Sequence, residues 1–136
     1  MGIVVKERQP INLTDIMNIA QQLADERAVD VSNTYLLFAG GALRAVNRRN
    51  GSFVHGYEQY RMLGGALCNS NTVMPLSKVL SFSYFCDQYS PTGITAWYEV
   101  LDNGKQGIRV LFNYRGNCDY FWNLTPINEA NFSYVE

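Results

Sequence analysis

Histidine and cysteine are scarce in this sequence, and that removes most familiar site chemistry. There is one histidine, His55, and three cysteines, Cys68, Cys86 and Cys118, with no CxxC spacing among them. Zinc centres draw their ligands mainly from these two residue types, so no metal site is expected. Phosphate-binding loops of the GxxxxGK[ST] or GxGxxG kind are missing, as are the GxSxG elbow and the HExxH helix, and no cofactor is expected. Any Cys–His mechanism must use His55, and the thiol left for it is Cys68, because Cys86 and Cys118 are expected to face the core. The default for His55 is an ordinary strand residue. The carboxylate pairs, Asp25 with Glu26 and Glu99 with Asp87, fall on open faces without the enclosed cleft that tunes a general acid.

Charge is also sparse. Charged residues make up 17%, with eight Arg but only three Lys, and the net charge is -1. Such a balance gives no broad positive field, so nucleic-acid partners are disfavoured. No apolar run approaches the roughly 20 residues that cross a bilayer, and no membrane association is expected. The apolar stretch at Met1–Val5 is too short for a signal peptide, and Lys6 stands where a myristoylation pattern wants Ser or Thr. With an odd number of cysteines, these features point to a reducing, cytoplasmic setting. Sequons at Asn12, Asn50, Asn123 and Asn131 carry little weight without a secretion signal; a bonded cysteine pair would instead mark a secreted glycoprotein.

What is abundant is aromatic, aliphatic and amide character. The hydrophobic fraction is 47%, with 18 aromatics and 13 Asn in 136 residues, and the mean hydropathy is -0.15. That describes an ordered chain long enough to bury one core, and residues 1–136 are expected to form a single domain. Arg, Tyr, Phe, Trp and Met are the types enriched at protein interfaces, and Lys is depleted there.

Residues 2–9 could form a short strand that Pro10 stops. A helix is expected over 13–28, with Asn12 as N-cap and Leu13, Ile16, Met17, Ala20, Leu23 and Ala24 as its apolar stripe. The period then changes to two. Tyr35-Leu36-Leu37-Phe38 reads as a buried strand broken at Gly40-Gly41. Residues 42–48 and 52–57 read as a hairpin around Arg49-Asn50-Gly51, pairing Val46 with Val54 and Leu43 with Tyr57. One helical turn is expected over 58–63, ended by Gly64-Gly65, and Pro75 could open a short helix within 66–80.

Four strands are expected at 81–87, 94–101, 106–114 and 118–124, the last three joined by loops at Asp102-Asn103-Gly104 and Arg115-Gly116-Asn117. This register pairs Tyr98 with Ile108, Ala96 with Val110, Phe112 with Tyr120 and Val110 with Trp122. One face then collects the even-numbered side chains from Phe82 to Leu124, including Tyr84, Cys86, Val100 and Cys118, and needs the helix as its covering layer. The expected fold is α+β: an N-terminal helix packed on an antiparallel β-meander of about four C-terminal strands, with an additional β-hairpin.

The opposite face is mostly polar, yet each strand adds one large apolar residue: Phe85, Trp97, Leu111 and Phe121. Phe85 is set against Trp97, Leu111 against Phe121, and Arg109 opposite Trp97 in cation–π range. Either residues 34–67 fold over these side chains, which the need to bury Leu36, Phe38, Val46, Phe53 and Leu63 favours, or they form a docking patch. The arginines Arg44, Arg48, Arg49 and Arg61 make the one basic concentration; Arg48 and Arg49 sit at a hairpin tip that could probe an acidic surface, or simply keep an exposed turn soluble.

These readings suggest a small non-enzymatic protein-interaction module, an assembly subunit or an inhibitor or immunity-type binder. The size and the Asn/Tyr-rich character suit an accessory protein of a phage or mobile element. The expected partner is another protein or a second copy, met through Phe85, Trp97, Arg109, Leu111, Phe121, Arg48 and Arg49. The alternative is a small-ligand-binding protein or enzyme with an aromatic pocket between helix and sheet, lined by Tyr84, Tyr98, Tyr114, Tyr120 and Trp122.

Overall fold

The computed structural model of the chain describes residues 9–26, 29–48, 60–61, 70–89, 93–113 and 115–127. A short strand β1 (Gln9–Pro10) precedes helix α1 (Leu13–Glu26). Asn12 caps the helix as expected: its Oδ1 accepts a hydrogen bond from the backbone N–H of Asp15 at 3.1 Å. Leu13, Ile16, Met17, Ala20 and Leu23 are buried, as their helical spacing requires, and Ile19 joins them. Asn12→Ala should cost about 1 kcal/mol, seen as a lower urea midpoint at unchanged m-value.

Strands β2 (Thr34–Ala39) and β3 (Ala42–Asn47) form a tight hairpin about Gly40-Gly41, with Leu36 opposite Ala45 and Phe38 opposite Leu43. Strand β4 (Tyr60–Arg61) pairs with the start of β3. Leu43 therefore lies opposite Tyr60, not Tyr57, and residues 60–61 are extended, not part of a helical turn. A Gly-bearing turn signal says that the chain reverses; it does not fix the register in which the strands meet. The expected Val46–Val54 pair, the Arg49-Asn50-Gly51 turn and the break at Gly64-Gly65 lie outside the described residues.

Strand β5 (Thr72–Pro75) pairs with β2 and leads directly into helix α2 (Leu76–Tyr89). This helix replaces the strand expected at 81–87. Alternation of Phe82, Tyr84 and Cys86 imitates a strand, but Leu76, Val79, Phe82 and Cys86 also recur at helical intervals, and these four are buried. Tyr84, expected in the core, is 67% exposed. Pro75 ends β5 opposite Tyr35 and immediately precedes the first helical residue.

Strands β6 (Ile94–Val100), β7 (Gln106–Asn113) and β8 (Asn117–Pro126) form the expected meander. Tyr98 faces Ile108 and Ala96 faces Val110, as the Asp102-Asn103-Gly104 loop dictates. Between β7 and β8 the register differs by two residues from expectation. Val110 lies opposite Tyr120 and Phe112 opposite Cys118, because the reversal is centred on Arg115 and not on Gly116. Arg115 itself takes a positive φ of 47°, alongside Gly116 at 106°. A non-glycine residue accepts that conformation at a cost of about 1–2 kcal/mol, so placing the turn by its glycine missed the centre. An even shift leaves every side chain on its expected face.

The described strands make one sheet in the order β1-β6-β7-β8-β5-β2-β3-β4. Both helices lie on one side of it. Ile16 and Leu23 of α1, Val79 and Phe82 of α2, Phe38 of β2, Ile108 and Val110 of β7 and Leu124 of β8 belong to one apolar cluster. Because β2 and β3 extend the sheet edge-on through β5, residues 34–47 do not fold over the opposite face of β6–β8. Leu36 and Phe38 find their burial under the helices instead, while Leu37, Val46 and Val73 form a small second cluster on the far side.

Candidate docking face on the outer side of the sheet

The odd-numbered residues of β6, β7 and β8 share the face away from the helices. Register sets Trp97, Arg109 and Phe121 in one row and Thr95, Leu111 and Asp119 in the next. Arg109 thus sits opposite Trp97 as expected. Its guanidinium, however, stacks over the ring of Phe121, 4.8 Å from the centroid. The two-residue register shift puts Leu111 opposite Asp119, so Phe121 is its diagonal neighbour and not its direct partner. Trp97 is only 6% exposed, whereas Leu111 is 37% exposed. Among the described residues of this face, Leu111 is the most exposed large apolar side chain.

Arg109 organises the charges. Its Nε donates to Glu99 Oε2 at 2.9 Å, and its Nη1 lies 3.4 Å from Asp119 Oδ1. The hydrogen bond to Glu99 raises the guanidinium pKa further above its ordinary value, outweighing the opposing effect of burial. Ion pairs this near the surface contribute only about 0–1 kcal/mol each. Their larger effect is positional, since one cation held by two carboxylates and a ring has few rotamers left. The Asp119 side chain remains 56% exposed and can accept further bonds.

Other expected site residues lie elsewhere. Phe85 belongs to α2 and packs against Phe82, Phe112 and Tyr120, with centroid separations of 5.5–6.3 Å. It left the patch because residues 81–87 are helical. Asp87 leaves the sheet face for the same reason. Arg48 is at the end of β3, beyond β5 and β2 in the sheet order, and donates to Tyr35 Oη at 2.9 Å. Arg49, His55 and Cys68 lie outside the described residues.

Cys86 is buried, as expected, although from a helix. Burial, and then the neighbouring Asp87 charge, pushes its thiol pKa up, so the thiol keeps its proton at neutral pH. At pH 8, iodoacetamide should alkylate Cys86 much more slowly in the native protein than in urea, as read by peptide mass mapping. Cys118 is partly buried against the same cluster. Among the described residues no group of three His, Cys, Asp or Glu could hold a metal ion.

On α1, Ile16, Ala20 and Leu23 are buried in the cluster shared with the sheet. Tyr98 donates its hydroxyl to Gln106 Oε1, and burial pushes its pKa up. Tyr120 and Trp122, expected to line an aromatic pocket, border an open groove of about 560 Å3 between α2 and β8 together with Phe82 and Phe85. This groove between α2 and β8 is not among the features expected from the sequence. Its signal was the spacing Phe82–Phe85 beside Ser77–Ser81, one flank of a helix, which the strand assignment concealed.

No family model matches the chain, and no similar curated protein or solved structure is found. Among the described residues, no helix is long and apolar enough to cross a membrane.

Proposed function

We propose that this chain is a non-enzymatic protein-interaction module, an assembly subunit or an inhibitor of the immunity type, that docks through the outer face of β6–β8. The observation that carries this reading is Leu111, a solvent-exposed leucine in mid-strand, set beside a charge group already fixed in place. Binding loses less entropy when such side chains are ordered beforehand. Leu111 beside the open carboxylate of Asp119 fits a protein surface that presents an apolar side chain next to Lys or Arg. The Arg-rich, Lys-poor, aromatic composition agrees with this reading. The size and composition also suit an accessory protein of phage or mobile-element origin working in the cytoplasm.

The test pairs affinity purification from the native host with a photo-crosslinking residue at position 111. One partner should be crosslinked at 111 and lost from the Leu111→Asp variant, whose circular dichroism should be unchanged. A partner set identical for both forms, with no crosslink, contradicts the proposal. Trp97 is unsuitable for this test, since a charge at so buried a position would unfold the protein.

A further inference from the structure

The docking face uses the flat of the sheet; the edge of β8 is a separate feature. Leu101 N–H donates to the Lys105 carbonyl at 2.8 Å. Hydrogen-bonded pairs alternate along an antiparallel ladder, so Glu99–Gly107, Trp97–Arg109 and Thr95–Leu111 are bonded pairs between β6 and β7. The even residues of β7 then bond the even residues of β8. Asp119, Phe121 and Asn123 therefore turn their backbone N–H and C=O to the other edge of β8, and the Ile127 N–H, bonded to the Asn71 carbonyl at 3.1 Å, follows the same parity.

Strand β5 meets that edge only at Val73–Thr125 and Thr72–Pro126 before the chain turns into α2. Among the described residues no strand continues along 119–123. Beside this edge lies the groove under α2. Its floor is Phe82, Phe85, Tyr120 and Trp122, and its rim is Ser77, Ser81 and Lys78, the one charged residue of its lining.

We propose that the β8 edge and this groove together bind an extended peptide segment of a partner protein as an added strand. Backbone groups of the peptide pair with Asp119, Phe121 and Asn123. Alternate side chains, about 7 Å apart along an extended chain, enter the groove, while those between them point to the outer face. The groove selects large apolar or aromatic side chains, and Lys78 selects a carboxylate at the α2 end. A small molecule could use the rings and Lys78, but it would leave the strand edge unpaired; an extended backbone uses both.

The probe is a displayed library of random nonapeptides, panned against the full chain and retested as synthetic peptides. Selected peptides should alternate apolar residues with an Asp or Glu, and they should slow amide exchange at Asp119, Phe121 and Asn123 but not at Tyr120 or Trp122, which already bond β7. Methylating the alternate peptide amides that face β8 should weaken binding about tenfold per lost bond. Asn123→Pro, which removes only an outward N–H, should do the same while Asn123→Ala does not. Lys78→Glu should reverse the acidic preference. Leu111→Asp should leave peptide binding intact, so failure of the docking face and failure of this site are separable. An empty selection, binding indifferent to peptide N-methylation, or edge protection that rises with protein concentration in the absence of peptide (a second copy as occupant) would each overturn the proposal.

Discussion

Phe38→Ala is expected to lose about 3–5 kcal/mol of stability. Phe38 is fully buried on β2, between Leu43 of β3 and Thr72 of β5, and faces the helices in the cluster that holds Ile16, Leu23 and Val79. The cost combines lost transfer free energy with a cavity that close-packed neighbours on two layers fill only in part. Domains of this size have about 5–15 kcal/mol in all, so the variant should be near the limit of folding at 37 °C. Urea denaturation measures it. Leu111→Ala, on the outer face, should change stability by about 0.5 kcal/mol or less.

Gly107→Ala should destabilise by about 1–3 kcal/mol or more, opposite in sign to the gain that Gly→Ala gives at an unstrained site. A Cβ at Gly107 would come within 2.6 Å of Phe121 Cζ, and closer still to the backbone carbonyl of Trp122. The ring can swing aside, but only by leaving its place under Arg109. The carbonyl cannot move without opening the β7–β8 ladder. Thermal denaturation of Gly107→Ala alone and with Phe121→Ala separates the two: the double variant should recover only the part due to the ring.

How far the sequence discloses this molecule depends on whether each signal is local. Helix α1 is legible because its cap, Asn12, and its stripe are adjacent in sequence and need no partner to be read. The β6–β7 register follows from a loop whose glycine closes it. At β7–β8 the same reasoning misplaces the turn, since the strained residue is Arg115 and nothing in its chemistry announces a positive φ. Helix α2 was open to either reading from its aromatic pattern. Its best evidence was length: residues 76–89 run without proline or glycine, longer than a typical strand of about five or six. Of the expected patch, Trp97, Arg109, Leu111 and Phe121 do share a face, because that needs only the period of two. Phe85 and Arg48 were placed by assumptions about tertiary arrangement, and both lie elsewhere. The groove and the stretch of β8 that β5 leaves uncovered depend on where β5 departs, which no local pattern encodes.

The division that matters most sets Ile108, Val110 and Leu124 in a dry layer under the helices and Leu111 on the outer face proposed for docking. Methyl NMR with a soluble paramagnetic agent tests it directly. The methyl signals of Leu111 should broaden strongly, while those of Ile108, Val110 and Leu124 stay sharp. Broadening of Ile108 and Val110 with Leu111 protected would reverse the two faces and contradict the account.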